Sequence, residues 1–314
     1  MESNLPLVTI GIPTYNRARG RLGDAIRFAL AQTYPSIEIV ISDNCSTDNT
    51  SEVVASFNSE KIRYIRQKEN IGPFNNFHAC LENAKGKYFY LFHDDDQVDN
   101  DFVECCIEAA KGRENVGLIR TGIRVIDGDG EVINERVNNA DGLSSNEFVS
   151  AWFRHKTASY LPCTLFNTER LKEVGGIRSP HNMFCDAFAI IKLVAKYEHV
   201  DVVDVKASFR RHDDNMGSSS RVLDWVNDSV ELLSLVCELF PEHSSQLRTE
   251  GNRFFCMKNY EQTEKMAASL WQKTIMYFRV RKTFQHAVPL WNFYRKNELR
   301  PRLAPTKNKL IGRA

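Results

Sequence analysis

Short apolar runs alternate with segments of helical periodicity through the first 92 residues. The apolar runs occupy residues 7–12, 37–42, 62–65 and 88–92, and a polar segment follows each of them. Apolar residues at helical spacing predict helices at 22–32, 50–57 and 74–84. Such strand–helix alternation predicts right-handed βαβ units in a mainly parallel sheet.

The regular alternation of strands and helices ends after residue 115. Strands are predicted at 116–120, 123–126 and 200–209, helices at 145–156, 168–174 and 186–197, and a hairpin turn at DGDGE, 127–131. From about residue 223 onward the periodicity is helical. The fold class is therefore α/β, a mixed and mainly parallel sheet flanked by helices, with a C-terminal helical extension. We predict a catalytic domain at 1–220, divided at about 115, and a helical, basic region at 221–314.

Charge is distributed unevenly along the chain. Residues 273–314 carry eleven Lys or Arg and one acid, so the first 272 residues hold 30 basic and 39 acidic side chains, a net charge of −9. No apolar stretch reaches the length of a membrane span, and the N-terminus lacks the pattern of a signal peptide. Eight cysteines without metal-ligand spacing indicate reduced thiols. These features predict a cytoplasmic protein.

One motif carries most of the chemical information. Tyr88–Phe92 predicts a buried strand, and His93, Asp94, Asp95 and Asp96 follow it directly. Three adjacent carboxylates repel one another, and they fit a strand end if a divalent cation or a cationic ligand binds among them. The carboxyl ends of strands in α/β sheets are where ligands bind. The alternative from the residues alone is a solvated turn or helix cap.

Two common nucleotide-binding motifs are absent. The sequence contains no GxxxxGK[ST], which argues against a P-loop NTPase, and no GxGxxG after the first strand, which argues against a dinucleotide-binding domain. A nucleotide site in this chain must therefore use a cation and side chains instead of a glycine cradle.

Four polar motifs occur in order after the four N-terminal strands. They are PTYNR, SDNCSTDNT, ENIGPFNNF and HDDDQ. In this order they resemble the family 2 glycosyltransferases, which are inverting sugar transferases with the GT-A fold. The resemblance covers about residues 6–215 and implies a nucleotide-diphosphate sugar as donor, with UDP favoured, and Mn²⁺ or Mg²⁺ as cofactor.

The resemblance also implies roles for individual residues. Those expected to bind the nucleotide sugar are Pro13, Tyr15, Asn16, Arg17, Asp43, Asn70, Gly72, Asn75, Asp94, Asp95, Arg210 and Arg211. Within that set Tyr15 packs on the base, Asp43 accepts a hydrogen bond from it, and Asp94 or Asp95 lies near the ribose. Asp96 and His212 are the expected metal ligands. A shift of one residue in the aspartate motif stays open, because His93 stands where relatives commonly have an aspartate.

The resemblance places the catalytic base in the segment GGIRSPHNMFCDAF. Relatives end this segment in an acidic pair, whereas this chain has Cys185 and Asp186, so only Asp186 can accept the proton. One carboxylate base without a protein nucleophile implies direct displacement and inversion at the anomeric carbon. The alternative for Asp186 is a helix N-cap without catalytic function.

Aromatic and basic residues interleave from Trp271 onward. A helix of this composition can lie on an anionic membrane surface, which would hold the protein peripherally on the cytoplasmic face near a lipid-linked saccharide. The alternative is a helical cap with exposed basic side chains. Nucleic-acid binding uses the same charge, but no recognition motif accompanies it.

The function predicted from sequence is metal-dependent sugar transfer to a glycan or lipid-linked acceptor in surface polysaccharide biosynthesis, such as O-antigen assembly. One alternative is a non-catalytic nucleotide-sugar-binding module. The other is a sugar nucleotidyltransferase, for which PTYNRARGRL lacks the glycine-rich loop expected after the first strand.

Overall fold

The computed structural model describes residues 5–157, 160–211 and 221–291. Nine strands lie within these ranges: β1 (Val8–Thr14), β2 (Ile37–Asp43), β3 (Ile62–Arg66), β4 (Tyr88–Leu91), β5 (Gln97–Val98), β6 (Val116–Ile126), β7 (Val132–Arg136), β8 (Thr164–Asn167) and β9 (Glu198–Arg210). They form one sheet with the order β3-β2-β1-β4-β8-β6-β9-β5, and β7 pairs with β6.

The first four strands are parallel to one another, as the strand–helix alternation predicts. Residues Ile10 and Ile12 of β1 lie opposite Ile39 and Ile41 of β2, so the apolar faces of the strands coincide. β8 enters antiparallel between β4 and β6, whereas β9 runs parallel to β6. The carboxyl ends of β1, β2 and β4 therefore meet at one edge of a mixed sheet.

Ten α-helices accompany the strands in the described ranges: α1 (Leu22–Leu30), α2 (Thr50–Ala55), α3 (Pro73–Glu82), α4 (Phe102–Ala109), α5 (Ser145–Phe153), α6 (Thr168–Glu173), α7 (Cys185–Lys196), α8 (Val222–Leu239), α9 (Ser244–Lys265) and α10 (Leu270–Thr283). None of these helices is both long enough and apolar enough to span a bilayer. Two local signals are confirmed: DGDGE joins β6 to β7, and the positive φ angles of Gly175 (+92°) and Gly176 (+74°) follow the end of α6.

The core has two main layers on opposite faces of the sheet. One layer packs α1 and α4 on the N-terminal strands, with Ile26, Phe102 and Val103 fully buried. The larger layer combines α3, α5 and α7 with the three C-terminal helices, and Phe255 of α9 belongs to the same apolar cluster as Phe188 of α7. The C-terminal helices therefore complete the core of the preceding residues. The domain division at residue 220 stays a prediction.

A buried ion pair joins β6 to β9. The guanidinium of Arg120 donates to Asp201 Oδ1 at 2.6 and 3.0 Å, and Asn138 Nδ2 donates to the same oxygen at 2.7 Å. Burial alone would raise the pKa of Asp201, but the Arg120 charge and the hydrogen bonds of His199 and Asn138 outweigh burial and lower the pKa to about 2. The pair thus holds together the two central strands of the second half of the sheet.

Candidate active site

The polar segments after β1, β2 and β4 are joined by hydrogen bonds at the carboxyl edge of the sheet. Thr14 Oγ1 donates to Asp94 Oδ2 at 2.9 Å, which joins the ends of β1 and β4. Asn16 adopts a positive φ of 53°, and its backbone N–H donates to Ser46 Oγ at 2.8 Å. The Asn16 side chain in turn accepts a hydrogen bond from Thr47 N. Asn16 therefore fixes the β1 loop against the β2 loop.

The residues predicted to surround the base lie beside this junction. Pro13 is buried in β1, whereas Tyr15 exposes 43% of its surface and is available for packing against a planar ligand. Arg17 is exposed, and its positive charge acts on Asp94. These positions are compatible with the predicted roles, which stay predictions.

Asp43 is almost completely buried at the end of β2. Its Oδ1 accepts hydrogen bonds from the N–H and hydroxyl of Ser46, and its Oδ2 accepts one from Tyr64 Oη. Both carboxylate oxygens are therefore engaged within the protein. A base that hydrogen-bonds to Asp43 must share Oδ2 with Tyr64 or displace that hydroxyl.

The loop before α3 is fixed by two asparagines. Asn70 Oδ1 accepts hydrogen bonds from Asn44 Nδ2 at 2.8 Å and from Gly72 N at 2.9 Å. Gly72 precedes α3 with a φ of +79°, a conformation that favours glycine. Asn75 is exposed and donates to Ile71 O, whereas Asn76 is buried and donates to Ser42 O. Asn76 thus connects α3 to β2, and Asn75 is the accessible member of the pair.

Asp94 and Asp96, two of the three aspartates after β4, differ in their surroundings. Burial raises the pKa of Asp94 to about 6, although the Arg17 charge and the Thr14 hydroxyl oppose the shift. Asp96 is 4% exposed, and its Oδ1 accepts the Arg210 backbone N–H at 2.9 Å. Burial also raises the pKa of Asp96 against the opposing effect of His93.

His93, Asp95 and Asp96 form a candidate metal centre. One ligand atom from each residue lies within 4.8 Å of the others. His93 Nδ1 lies 3.5 Å from Asp96 Oδ2. Among the described residues, His93 Nε2 and Asp96 Oδ2 are buried polar atoms without a hydrogen-bond partner, and a bound cation would add a ligand contact at this cluster. Two carboxylates suit Mg²⁺ or Mn²⁺, and an imidazole favours a transition metal such as Mn²⁺. Asp96 is a predicted ligand, whereas the sequence marks His93 only as a departure from the aspartate pattern.

Arg210 holds the acidic loop in place. Its side chain donates to the carbonyl oxygens of Asp95 at 2.9 Å, Asp127 at 2.8 Å and Gly128 at 3.1 Å. These bonds tie the acidic loop to the turn between β6 and β7. Arg211 is exposed, and its N–H continues the pairing of β9 with β6. The predicted ligand His212 lies outside the described residues.

Asp186 lines a cavity of about 340 Å³ together with His93. It lies in the first turn of α7, and its Oδ1 accepts the Ala187 N–H at 2.8 Å. Burial raises the pKa of Asp186, while that hydrogen bond, Lys258 and His93 act against the shift. The cavity thus brings the predicted base to the same space as the candidate metal centre.

Most walls of this cavity come from residues that the sequence pattern does not single out. Aromatic side chains dominate: Trp152, Tyr160, Phe184, Phe209, Trp225 and Phe254. Lys258 of α9, Arg136 of β7 and His155 add basic groups. Trp225, Phe254 and Lys258 belong to α8 and α9, so the C-terminal helices form part of the cavity. The helical periodicity of residues 223–265 predicts the helices but gives no signal that they line a cavity.

A buried carboxylate from α8 fixes the segment that precedes Asp186. Asp228 is completely buried and accepts the backbone N–H groups of His181 at 2.8 Å, Met183 at 2.7 Å and Phe184 at 3.2 Å. It also accepts the hydroxyl of Ser179 at 2.5 Å. Four donors on one carboxylate define the path of residues 179–184, and α7 with Asp186 begins at the next residue.

The arrangement of strands, motifs and acidic residues matches a known family. The family model described as Glycosyl transferase family 2 matches residues 9–169, more than half of the 314 residues. The chain belongs to glycosyltransferase family 2. This confirms the resemblance of the four ordered motifs.

Two relatives are polysaccharide synthases. Hyaluronan synthase from Pasteurella multocida is 24% identical over 278 residues, which is 88% of this chain and 26% of that protein. Chondroitin synthase from Pasteurella multocida (strain Pm70) is 28% identical over 201 residues, 63% of this chain and 20% of that protein. The chain therefore spans about a quarter or less of the length of these two relatives.

Solved structures confirm the GT-A type fold. The complex of S. aureus TarS (residues 1–349) with UDP-GlcNAc superposes with a TM-score of 0.67 at 15% identity, covering 90% of this chain and 82% of that one. The mannosyltransferase PcManGT from Pyrobaculum calidifontis, solved with GDP-Man and Mn²⁺, gives a TM-score of 0.54 at 17% identity, covering 94% and 88%.

Proposed function

We propose that this protein transfers a sugar from a nucleoside-diphosphate sugar to a saccharide hydroxyl, with inversion at the anomeric carbon. The observation that carries the proposal is that Asp186 and His93 line one cavity. His93 belongs to the cluster suited to a metal–diphosphate, and Asp186 is a carboxylate suited to accept a proton. The two groups that direct displacement requires therefore face a common space.

Asp186 is the proposed general base. Its Oδ1 is held by the Ala187 N–H, and no hydrogen bond joins its Oδ2 to another described residue. Oδ2 can accept the proton of the acceptor hydroxyl as that oxygen attacks the anomeric carbon. The bond between that carbon and the diphosphate breaks in the same displacement, and inversion follows because no protein nucleophile intervenes.

The metal site supports the departure of the diphosphate. Asp95, Asp96 and His93 would hold Mn²⁺ or Mg²⁺, which when bound neutralises negative charge on the leaving group. Arg210 keeps the Asp95 backbone in place through its hydrogen bond to that carbonyl. The donor is proposed to be a UDP-sugar, in line with the UDP-GlcNAc bound by TarS.

The acceptor is proposed to be a growing polysaccharide or a lipid-linked saccharide. The names of the relatives, hyaluronan synthase and chondroitin synthase, support polysaccharide biosynthesis. The cavity supports it as well, because a wall rich in aromatic rings can pack against the apolar faces of pyranose units.

Transfer assays test this function directly. UDP-, GDP- and dTDP-sugars are incubated with the protein and a panel of saccharide acceptors, with Mn²⁺, with Mg²⁺ or with EDTA, and nucleotide release is followed. We expect release that depends on both the metal and the acceptor and that Asp186→Asn abolishes. Nucleotide binding without turnover under all conditions would favour a non-catalytic binding module.

The exposed face of α10 supports a location at a membrane surface. Leu270, Trp271, Ile275 and Phe278 lie along one side of the helix and are 80%, 72%, 51% and 58% exposed. The exposed Arg279 and Lys282 accompany this stripe. An apolar face bordered by cations matches the interface of a bilayer that contains anionic lipid. We therefore place the protein peripherally on such a surface, near a lipid-linked acceptor.

Vesicle sedimentation tests this location. The double variant Trp271→Ser/Phe278→Ser is expected to lose binding to vesicles of phosphatidylcholine with phosphatidylglycerol and to keep its secondary structure. Val230→Ser on α8 is the control, because Val230 is also exposed but lies outside the stripe. Equal sedimentation of the parent and the double variant would exclude α10 as the contact.

A further inference from the structure

Lys258 of α9 is an unusual member of the cavity wall. It is half-buried, and no hydrogen bond or ion pair joins it to another residue in the part of the chain that the structure describes. Burying an ammonium group without a partner is costly, because the group loses hydration and gains no compensating contact. A lysine kept in such a position therefore suggests a negatively charged partner supplied by a ligand.

Among the described residues, nearby acids act on Lys258 only through their charge, without a hydrogen bond or ion pair to it. Asp186 and Glu261 favour the charged form of Lys258, whereas Arg211 and Lys265 disfavour it, and burial lowers its pKa. Arg136 adds a second basic side chain to the cavity wall, and Asp186 is the only acid among the residues that form the wall in the described ranges. The cavity wall is therefore cationic overall, and its one carboxylate is already assigned to proton transfer.

We propose that the saccharide bound in this cavity carries a carboxylate, as in a uronic acid, and that Lys258 binds it with help from Arg136. The aromatic residues around them would pack on the sugar ring, so the cavity would recognise both the ring and its charge. A neutral sugar would remove water from Lys258 without giving it a counter-charge. The cavity would therefore bind a neutral sugar more weakly than a charged one. This inference rests on the proposed function, since it names the substrate class of the same cavity.

The carboxylate can belong to the donor sugar or to the acceptor, and separate measurements distinguish the two sources. In the donor arm, binding of UDP, UDP-glucose and UDP-glucuronate is compared by calorimetry with Mn²⁺. In the acceptor arm, binding of a glucuronate-terminated disaccharide and its glucose-terminated counterpart is compared without any nucleotide. We expect at least tenfold tighter binding of the uronate in one arm.

Lys258→Met tests the assigned residue, because methionine keeps much of the apolar stem and removes the charge. The variant is expected to reduce the preference for the uronate to less than threefold and to leave UDP affinity unchanged. Arg253→Met is the matched control, since it removes an exposed charge from the same helix and Arg253 is not among the charges that act on Lys258. It is expected to keep the preference of the parent protein.

Three results would overturn the proposal. The first is equal affinity for uronate and neutral sugars in both arms, whether or not nucleotides bind. The second is a loss of UDP affinity in Lys258→Met as large as the loss for the UDP-sugar, which would make Lys258 a diphosphate contact. The third is an unchanged uronate preference in Lys258→Met. Failure of UDP and UDP-sugars to bind at all would count against the proposed function, while the acceptor arm would still decide this inference.

Discussion

At the residue scale, the surroundings of Asp186, the proposed base, change how readily its carboxylate takes up a proton. Burial raises its pKa, which brings the basicity of the carboxylate closer to neutral pH and makes it a better proton acceptor. Lys258 and His93 limit that rise. The base is active only when deprotonated, so turnover should fall as the pH drops through the raised pKa.

The first prediction concerns that titration. The acidic limb of the pH profile of kcat should lie above the ordinary range of an aspartate, and Asp186→Asn should lower kcat by about 10²–10⁴-fold. Pre-steady-state rates of nucleotide release, measured from about pH 4.5 to 8, would show both effects. The exposed Asp141→Asn is the control. A profile that keeps its acidic limb in Asp186→Asn would assign the titration to another group.

The site residues differ in how visible they are in the sequence. Asp94, Asp95 and Asp96 are visible because three adjacent acids directly after an apolar run repel one another unless a cation binds among them. The sequence gives no local signal for Asp228 or Lys258, because each is one polar residue in a long helix. The burial of each depends on contacts with distant segments. The local pattern of apolar and polar residues shows on which face of its helix a residue lies. It does not show which other segment packs on that face.

At the element scale, the Arg120–Asp201 pair determines how β6 and β9 respond to acid. The folded-state pKa of Asp201, about 2, lies below its ordinary value of 3.8, so the pair stabilises the fold above about pH 4. That stabilisation, about 2 kcal/mol for a shift of this size, is lost as the pH falls from about 4 to 2.

The second prediction follows from this linkage. Asp201→Asn should be destabilised at neutral pH by about 3 kcal/mol or more, because Arg120 stays buried without its counter-charge. The gap in unfolding free energy between parent and variant should narrow below pH 4. Urea denaturation at pH 7, 4 and 3 measures it. A gap that does not change with pH would mean that the ion pair contributes no titratable stability.

The third prediction concerns the contact of α8 with the segment before α7. Asp228→Ala leaves four donors without their acceptor, so we expect a loss of stability of about 3 kcal/mol and faster hydrogen exchange at residues 179–184. The kcat should fall because Asp186 is displaced, while UDP affinity should be retained. Hydrogen-exchange mass spectrometry and calorimetry separate these effects.

Two comparisons make that prediction specific. Asp228→Asn keeps one carbonyl acceptor and should restore part of the kcat lost in Asp228→Ala. Asp224→Ala, on the first turn of the same helix, should leave exchange at residues 179–184 unchanged. Equal losses of kcat and of nucleotide affinity in Asp228→Ala would indicate general unfolding instead of a positioning role.

Strands and helices can be predicted where their own residues follow a simple pattern of apolar and polar positions. The apolar runs of β1 to β4 identify buried parallel strands, and the polar segments after them identify the edge of the sheet where a ligand is predicted to bind. No element was predicted between residues 97 and 109, although Phe102, Val103 and Cys106 of α4 are apolar at helical spacing. β5 is only two residues long, and its pairing with β9 is a tertiary contact without a local signal.

At the scale of the whole molecule, the C-terminal helices share one apolar cluster with the helices that precede them. α9 contributes Phe254, Phe255 and Tyr260 to the apolar cluster that contains Trp152 and Phe188. Removing these helices would expose the aromatic face of α5 and α7 to water, at a cost of roughly 2 kcal/mol for each large side chain uncovered.

The fourth prediction tests the domain division at residue 220. A fragment of residues 1–220 should fail to give a cooperative thermal transition, because its larger apolar layer is incomplete. Circular dichroism melting of the fragment and of the full chain measures this. Co-expression of residues 221–314 as a separate chain should restore part of the soluble fragment. A cooperative transition in the fragment alone would establish an autonomous domain at 1–220.

The cavity combines residues from inside and outside the stretch that matches the family model. The stretch that matches the family ends at residue 169, whereas Asp186, Asp228 and Lys258 all follow it. Under the proposed function, mutations in α8 and α9 would alter which saccharide fits, while the N-terminal motifs proposed to surround the nucleotide stay intact. Under the proposed function, exchange of the C-terminal helices between homologues, together with the apolar residues they pack on, would change the saccharide that is accepted.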